Sequence, residues 1–246
     1  MKTPVTQNIY DNAGFFRGYS QLPRSIHGLD GAPEWPTLRN MLPDLHGLRV
    51  LDLGCGFGWF CRFARQQGAA SVLGVDVSER MLARAKAETS DPAISYQRAD
   101  LEELTLVPED FDFAYSSLAL HYIDRLERLL ACVHTALAQG AAFVFSVEHP
   151  IYTAPADPGW LDAHGRKTWP VDRYLDEGPR MTDWLAKGVI KQHRTIATYF
   201  ALLRRTGFAV THIDEWGPSH GQVAAQPDLA PERERPPFLI MACRRA

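Results

Sequence analysis

The chain has 246 residues, a formal net charge of −3, and 46% hydrophobic against 22% charged side chains, which is ordinary globular usage and a length that suits one elaborated domain better than two. A slightly acidic balance without a clustered basic surface gives no electrostatic reason to expect a nucleic-acid partner. The opening Met1-Lys-Thr-Pro-Val-Thr-Gln7 lacks the apolar run of a signal peptide and no window approaches the roughly 18 apolar residues of a membrane span, so a cytoplasmic protein with no membrane association is expected.

Residues 1–47 carry Tyr10, Phe15, Phe16, Tyr19, Trp35 and several prolines, which suits an irregular N-terminal cap packed on a core better than a free tail. From Arg49 short β-rich runs alternate with helical spacing: 49–53, 71–77, 94–99, 111–116 and 141–148 read as strands, and 78–89 and 124–138 as helices. Near-continuous apolar strands alternating with helices predict a mainly parallel sheet covered on both faces, a doubly wound α/β fold. Ser78 stands where it can cap the helix after it, and Gly140 where it can stop the helix before it.

After Pro150 about forty residues rich in Trp, Pro, Gly and charge break the rhythm. Their aromatic content predicts an ordered, lid-like cover over the sheet edge, spanning 150–194. A helix over 195–206 stopped by Gly207, then strands over 209–215 and 237–243, complete one domain over 1–246, with 48–149 as its ligand-binding core and 195–246 as its C-terminal part. Cys55, Cys61, Cys132 and Cys243 form no Cys-x-x-Cys pair and lie at no tight spacing from histidine, so reduced thiols are expected and neither a disulfide framework nor a metal site.

The chemistry concentrates in Val50-Leu-Asp-Leu-Gly-Cys-Gly-Phe-Gly-Trp-Phe60, a strand running into a glycine turn and then a helix. Gly54, Gly56 and Gly58 let the backbone bend sharply and approach a ligand closely. Asp52, at the strand end, can accept hydrogen bonds from turn amides or from a ligand ammonium. Asp76 ends the next strand, where a carboxylate can hold both hydroxyls of a ribose, and Asp100 ends the third, where an acceptor can meet the exocyclic amine of an adenine. Three acids at three successive strand ends occupy the edge at which open α/β sheets bind ligands, and together they suggest an adenosine-containing cofactor.

On these motifs the run 49–148 resembles the class I S-adenosylmethionine (SAM)-dependent methyltransferases, in particular the methyltransferase type 11 group similar to quinone-biosynthesis methyltransferases. The resemblance implies a seven-stranded sheet with its last strand antiparallel, and SAM as cofactor with S-adenosylhomocysteine (SAH) as product. It further implies that Gly54, Cys55, Gly56 and Gly58 surround the methionine part, that Asp76 holds the ribose, and that Asp100 and Leu101 meet the adenine. Val77, Ser78 and Met81 would flank the adenosine, and Ser117 and Leu118 would lie under the sulfonium. The spacing Gly-x-Gly-x-Gly departs from the Gly-x-Gly-x-x-Gly of dinucleotide sites.

His121, in the loop after the strand 111–116, is placed near the methyl group by the same resemblance. It is either a general base, since an ordinary imidazole takes up protons near neutrality, or a residue that packs and shapes the pocket. Glu148 and His149, at the end of the strand 141–148, either bind or deprotonate an acceptor, or are hydrogen-bonded loop residues. His193-Arg194-Thr195 is a further polar group, placed as either a helix cap or a pocket face. In the cap, Tyr19 and Arg24 are candidates for the SAM carboxylate. A small-molecule acceptor is expected. The alternatives are methylation of RNA or protein, or SAM or SAH binding without turnover.

Overall fold

The computed structural model describes residues 6–163 and 165–246. The cap contains three short helices, α1 (Ala13–Ser20), α2 (Pro23–Ile26) and α3 (Trp35–Asn40). The core then alternates as β1 (Arg49–Leu53), α4 (Trp59–Gln66), β2 (Ser71–Asp76), α5 (Glu79–Ala87), β3 (Ile94–Arg98), β4 (Phe111–Ser117), α6 (Leu126–Ala136) and β5 (Leu137–Glu148). The insertion holds a single turn, α7 (Pro150–Thr153), and two antiparallel hairpins: β6 (Leu161–Ala163) with β7 (Arg166–Thr168), and β8 (Gly178–Trp184) with β9 (Ala186–His193). The chain closes with α8 (Ile196–Arg205), β10 (Phe208–Trp216), α9 (His220–Ala225) and β11 (Phe238–Arg245).

Seven strands form one sheet in the order β10-β11-β5-β4-β1-β2-β3. The pairs among β1 to β5 are parallel, and β11 runs antiparallel to both β5 and β10. The doubly wound sheet with an antiparallel last strand is therefore present. Its central strands are buried on both faces, as parallel strands covered by helices must be. One face packs Leu51, Leu53, Phe143 and Phe145 against α6 and α8, and the other packs Val50, Val72, Phe113 and Val144 against α3 and α4. Phe60 of α4 stacks on Tyr115 of β4 with ring centroids 3.7 Å apart. Full burial of each such side chain contributes about 1.5–3 kcal/mol.

Most boundaries fall within two residues of the sequence reading, and the largest difference lies between α6 and β5. The helix expected over 124–138 ends at Ala136, and β5 begins at Leu137, four residues ahead of the expected start. Gly140, expected as a helix stop, adopts φ +75° inside this strand, where the β4–β5 register shifts. An extra left-handed residue accommodates such a bulge without steric cost. The expected N-cap of α5 is in place: the Ser78 hydroxyl accepts the Met81 amide at 3.1 Å.

The β8–β9 hairpin was not anticipated, because its alternating charged and apolar residues are separated only by Leu185, at φ +57°. It folds over the carboxyl ends of the sheet and meets the cap. Gln7 zips to its backbone, donating to the Gly188 carbonyl at 2.8 Å and accepting from the Ile190 amide at 2.9 Å. Trp184 sits edge-on to Phe15 and Tyr19. Arg180, buried, ties the insertion together through the carbonyls of Ala154, Arg173 and Asp176.

Candidate functional site

A cavity of about 460 Å³ opens at the carboxyl ends of β1, β2, β3 and β4, beneath the cap and the β8–β9 hairpin. The glycine turn after β1 forms part of its wall. Gly54 and Cys55 donate their amides to the Val75 carbonyl at 2.8 and 3.0 Å, which folds the turn back onto β2. Gly54 and Gly58 lie at φ +75° and +72°. A Cβ at Gly54 would collide with the Ala119 side chain, and one at Gly58 with the Tyr96 hydroxyl. Side chains are excluded at both positions by backbone conformation and by contact.

The strand-end acids sit where the register requires. Asp52 stands opposite Gly74, so Asp76 reaches two residues further along the edge, and Asp100 follows β3. Asp52 is buried, accepts the Cys61 thiol at 3.2 Å, and is pushed up to about 7, chiefly by burial and also by the charge of Asp76. Asp76 accepts the Gly56 and Ser78 amides, each at 2.9 Å, one on either oxygen. Burial raises its carboxyl despite these bonds. Asp100 accepts the Thr6 hydroxyl at 2.5 Å and the Glu102 amide at 2.9 Å.

Most of the residues expected at the cofactor line this cavity: Asp52, Gly54, Cys55, Gly56, Asp76, Val77, Met81, Asp100, Leu101, Ser117, Leu118, Tyr19 and Arg24. Gly58 and Ser78 do not. Gly58 is the left-handed residue that opens α4, and Ser78 caps α5 while donating to Asp11 at 2.6 Å. Partial burial pushes the Asp11 carboxyl up, but the bonds from Ser78 and the Arg80 and Glu79 amides outweigh it and hold Asp11 below the usual range. Leu118 adopts φ +53°, a strained value for a branched side chain, while its amide donates to the Ser146 carbonyl at 2.9 Å. Such strain at a cavity wall fixes the backbone path beside the ligand.

Arg24 lines the cavity with its terminal nitrogens on the fully buried Glu34, at 3.0 and 3.2 Å, and stacks over Phe238 at 5.6 Å. The guanidinium thus joins the cap to β11 as well as facing the cavity.

Beyond the glycine turn the wall changes character. Tyr10, Tyr19, Tyr122, Tyr152 and Trp184 converge with His121 and Glu148. The Tyr10 and Tyr122 hydroxyls lie 3.4 Å apart. His121 is buried, and burial pushes its imidazole down to about 4. Its Nδ1 accepts the Glu148 amide at 3.3 Å, which leaves the proton of the neutral ring on Nε2. Glu148 sets one carboxylate oxygen on Lys191 Nζ at 2.5 Å, and its other oxygen is buried without a hydrogen-bond partner.

His149 does not join this group. Its Nδ1 accepts the Ile151 amide as the cap of α7, and its Nε2 meets Glu215 at 2.9 Å, outside the cavity. Nor does the cluster His193-Arg194-Thr195 face the cavity. His193 bridges Thr153 and the Tyr174 carbonyl, Arg194 holds the carbonyls of Ile123 and Asp124, and Thr195 caps α8. Sequence reasoning missed Thr6, Glu34 and Lys191 as residues at or behind the site. Among the described residues no group of three or more His, Cys, Asp or Glu side chains could hold a metal ion, and no helix is long and apolar enough to cross a membrane.

Residues 51–145 match the family described as methyltransferase domain. The chain is similar, at 59% identity and a TM-score of 0.86, to an S-adenosylmethionine-dependent methyltransferase from Mesorhizobium loti of known crystal structure, over 89% of this chain and 100% of that one. It is 32% identical to an uncharacterized protein of Haemophilus influenzae over 97% of each chain. Similarity to the malonyl-[acyl-carrier protein] O-methyltransferase of Hamiltonella defensa is confined to 44% of this chain and 41% of that protein, at 37% identity.

Proposed function

The chain belongs to the class I SAM-dependent methyltransferases, and from that premise we propose that it methylates a small-molecule acceptor held at the aromatic end of the cavity, among His121, Tyr122, Glu148, Tyr152 and Trp184. The observation that carries this reading is continuity. One cavity runs from the strand-end acids, past the glycine turn, to these side chains. The cap and the β8–β9 hairpin lie over it, so the acceptor end suits a compact molecule rather than a polymer groove.

SAM fits the donor end on the structure's own terms. The glycine turn leaves room for close backbone approach, Asp76 has lone pairs free beyond its two amide bonds, and Asp52 lines the same cavity as an acceptor that would suit a ligand ammonium. When bound, SAM supplies an activated methyl on a good leaving group, and alignment removes much of the remaining barrier. The residues would then hold Asp76 to the ribose, Asp100 and Leu101 to the adenine, and Ser117 and Leu118 beneath the sulfonium.

His121 is proposed as a hydrogen-bond donor to the acceptor through Nε2. Its Nδ1 is taken by the Glu148 amide and its ring stays neutral above about pH 4, so it has no vacant basic nitrogen to offer. The cap and the insertion 150–194 are proposed to act together as a lid that keeps water from the reacting atoms.

The test is to incubate the protein with methyl-labelled SAM and a cell extract, then separate the filtrate of a small-pore membrane from retained protein and nucleic acid. Label in the filtrate is expected. Label found only in the retained protein or RNA would overturn the small-molecule reading.

A further inference from the structure

Resting on that reading, we propose that the acceptor presents an N–H or O–H to Glu148, with Lys191 as the positioning residue, and that the enzyme therefore methylates an amine or hydroxyl rather than a carboxylate. Glu148 lines the cavity at the end of β5, with one oxygen on Lys191 and the other buried and unpartnered. A buried carboxylate oxygen without a donor bears its full desolvation cost, and a ligand that brings a proton removes that cost. A ligand that brings a second carboxylate adds to it.

The cations nearby do not offset this. Lys191 is 2% exposed, sits behind Glu148 outside the cavity lining, and packs its ammonium over Trp184 at 5.0 Å. Arg235 is equally buried, stacked on Tyr152 at 4.2 Å and Trp169 at 4.0 Å, with Nη2 paired to Glu232 at 2.5 Å and its Nε and Nη1 buried between the rings without a hydrogen-bond partner. Neither reaches the cavity wall. At this end the wall offers the acceptor a carboxylate, a neutral imidazole and tyrosine hydroxyls. Among the described residues that line this end, none is a cation free to receive an anion.

In the step itself the acceptor's lone pair forms the bond to the methyl carbon. The carbon–sulfur bond breaks with its electron pair going to sulfur, and the acceptor proton passes to Glu148. Lys191 occupies one oxygen of Glu148 and so fixes which oxygen remains for the acceptor. The titratable and charged groups facing Glu148 are His121, Tyr122, Tyr152, Lys191, Tyr199 and Arg235.

The test uses the labelled filtrate described above. Treatment with base frees a methyl ester as volatile methanol, whereas methylamines and methyl ethers keep their label. Base-stable label is expected, falling about 100-fold in Glu148→Gln, within the range for loss of a positioned base. Volatile label, or a Glu148→Gln variant as active as the parent, overturns the inference. Absence of label in the filtrate defeats the small-molecule reading beneath it.

Lys191→Met separates positioning from mere structure. Without the ammonium a buried carboxylate takes up a proton more readily, so the acid limb of the rate moves to higher pH, and Lys191→Arg restores it. In the unliganded protein, acidification from pH 7 to 5 should raise the melting temperature of Lys191→Met relative to the double variant Lys191→Met/Glu148→Gln. A loss of rate with unchanged pH dependence in both measurements overturns the role of Lys191.

Discussion

The two ends of the cavity are built by opposite means. At the donor end the acids stand at the ends of three successive parallel strands, and the glycine turn and Asp76 are held mainly by backbone, as in the Gly56 and Ser78 amides on Asp76 and the Gly54 and Cys55 amides on Val75. At the acceptor end the partners are side chains from distant parts of the chain: Tyr10 with Tyr122, Lys191 with Glu148, Trp184 with Phe15. A backbone-built end can remain constant while a side-chain-built end varies, and this is how one fold serves many acceptors.

The largest effect expected from breaking this contrast is at the donor end. Asp76→Ala, in a variant whose melting curve shows it folded, should weaken SAM binding about 100-fold, the scale of losing charge-assisted hydrogen bonds worth roughly 1.5–3 kcal/mol. Near-parental affinity by calorimetry would remove Asp76 from the ribose. At the other end, His121→Phe should lower kcat about tenfold while leaving SAM affinity unchanged, because only one hydrogen bond to the acceptor is lost. A fall in SAM affinity with kcat preserved would move His121 to the donor end.

A smaller effect is expected where the two lids meet. Gln7→Ala removes both bonds to the hairpin, and SAM dissociation measured by stopped flow should quicken a few-fold; an unchanged rate would mean that the clasp does not gate the cavity. The smallest effect is a proton. Asp52 lies at about 7 in the unliganded fold, raised mainly by burial, so a cationic ligand beside it should displace about half a proton at pH 7. Calorimetry in buffers of different ionisation enthalpy reads this directly, and Asp52→Asn should abolish it. Because the folded value exceeds the unfolded one, the native state binds this proton more tightly. The contribution of Asp52 to stability is therefore present at low pH and lost as pH rises from 3.8 towards 7, a slope absent in Asp52→Asn.

The same contrast explains what the sequence made legible. Val50 to Phe60 was legible because three alternate glycines after an apolar strand mark a sharp turn that only glycine enters without strain, and Asp76 and Asp100 were legible as the ends of the next two strands. His149 looked equivalent to Glu148 as its neighbour, yet they end on opposite sides: Glu148 lines the cavity and His149 turns to Glu215 on β10. Nothing local in the sequence singles out Lys191, which lies in a hairpin that was not anticipated. Buried, Lys191 meets its counter-charge in Glu148, 43 residues earlier, and packs against Trp184. Gln7 and Gly188 are 181 residues apart, and no local periodicity reports such a pairing. Residues 1–5 of the cap region and residue 164 of the insertion lie outside the described residues.

The most direct test of the central claim is a crystal structure of the protein with SAH bound. The account predicts ribose hydroxyls within hydrogen-bonding distance of Asp76, adenine beside Asp100 and Leu101, and sulfur turned toward His121 and Glu148. Ribose away from Asp76, or sulfur facing away from the aromatic end, would contradict it.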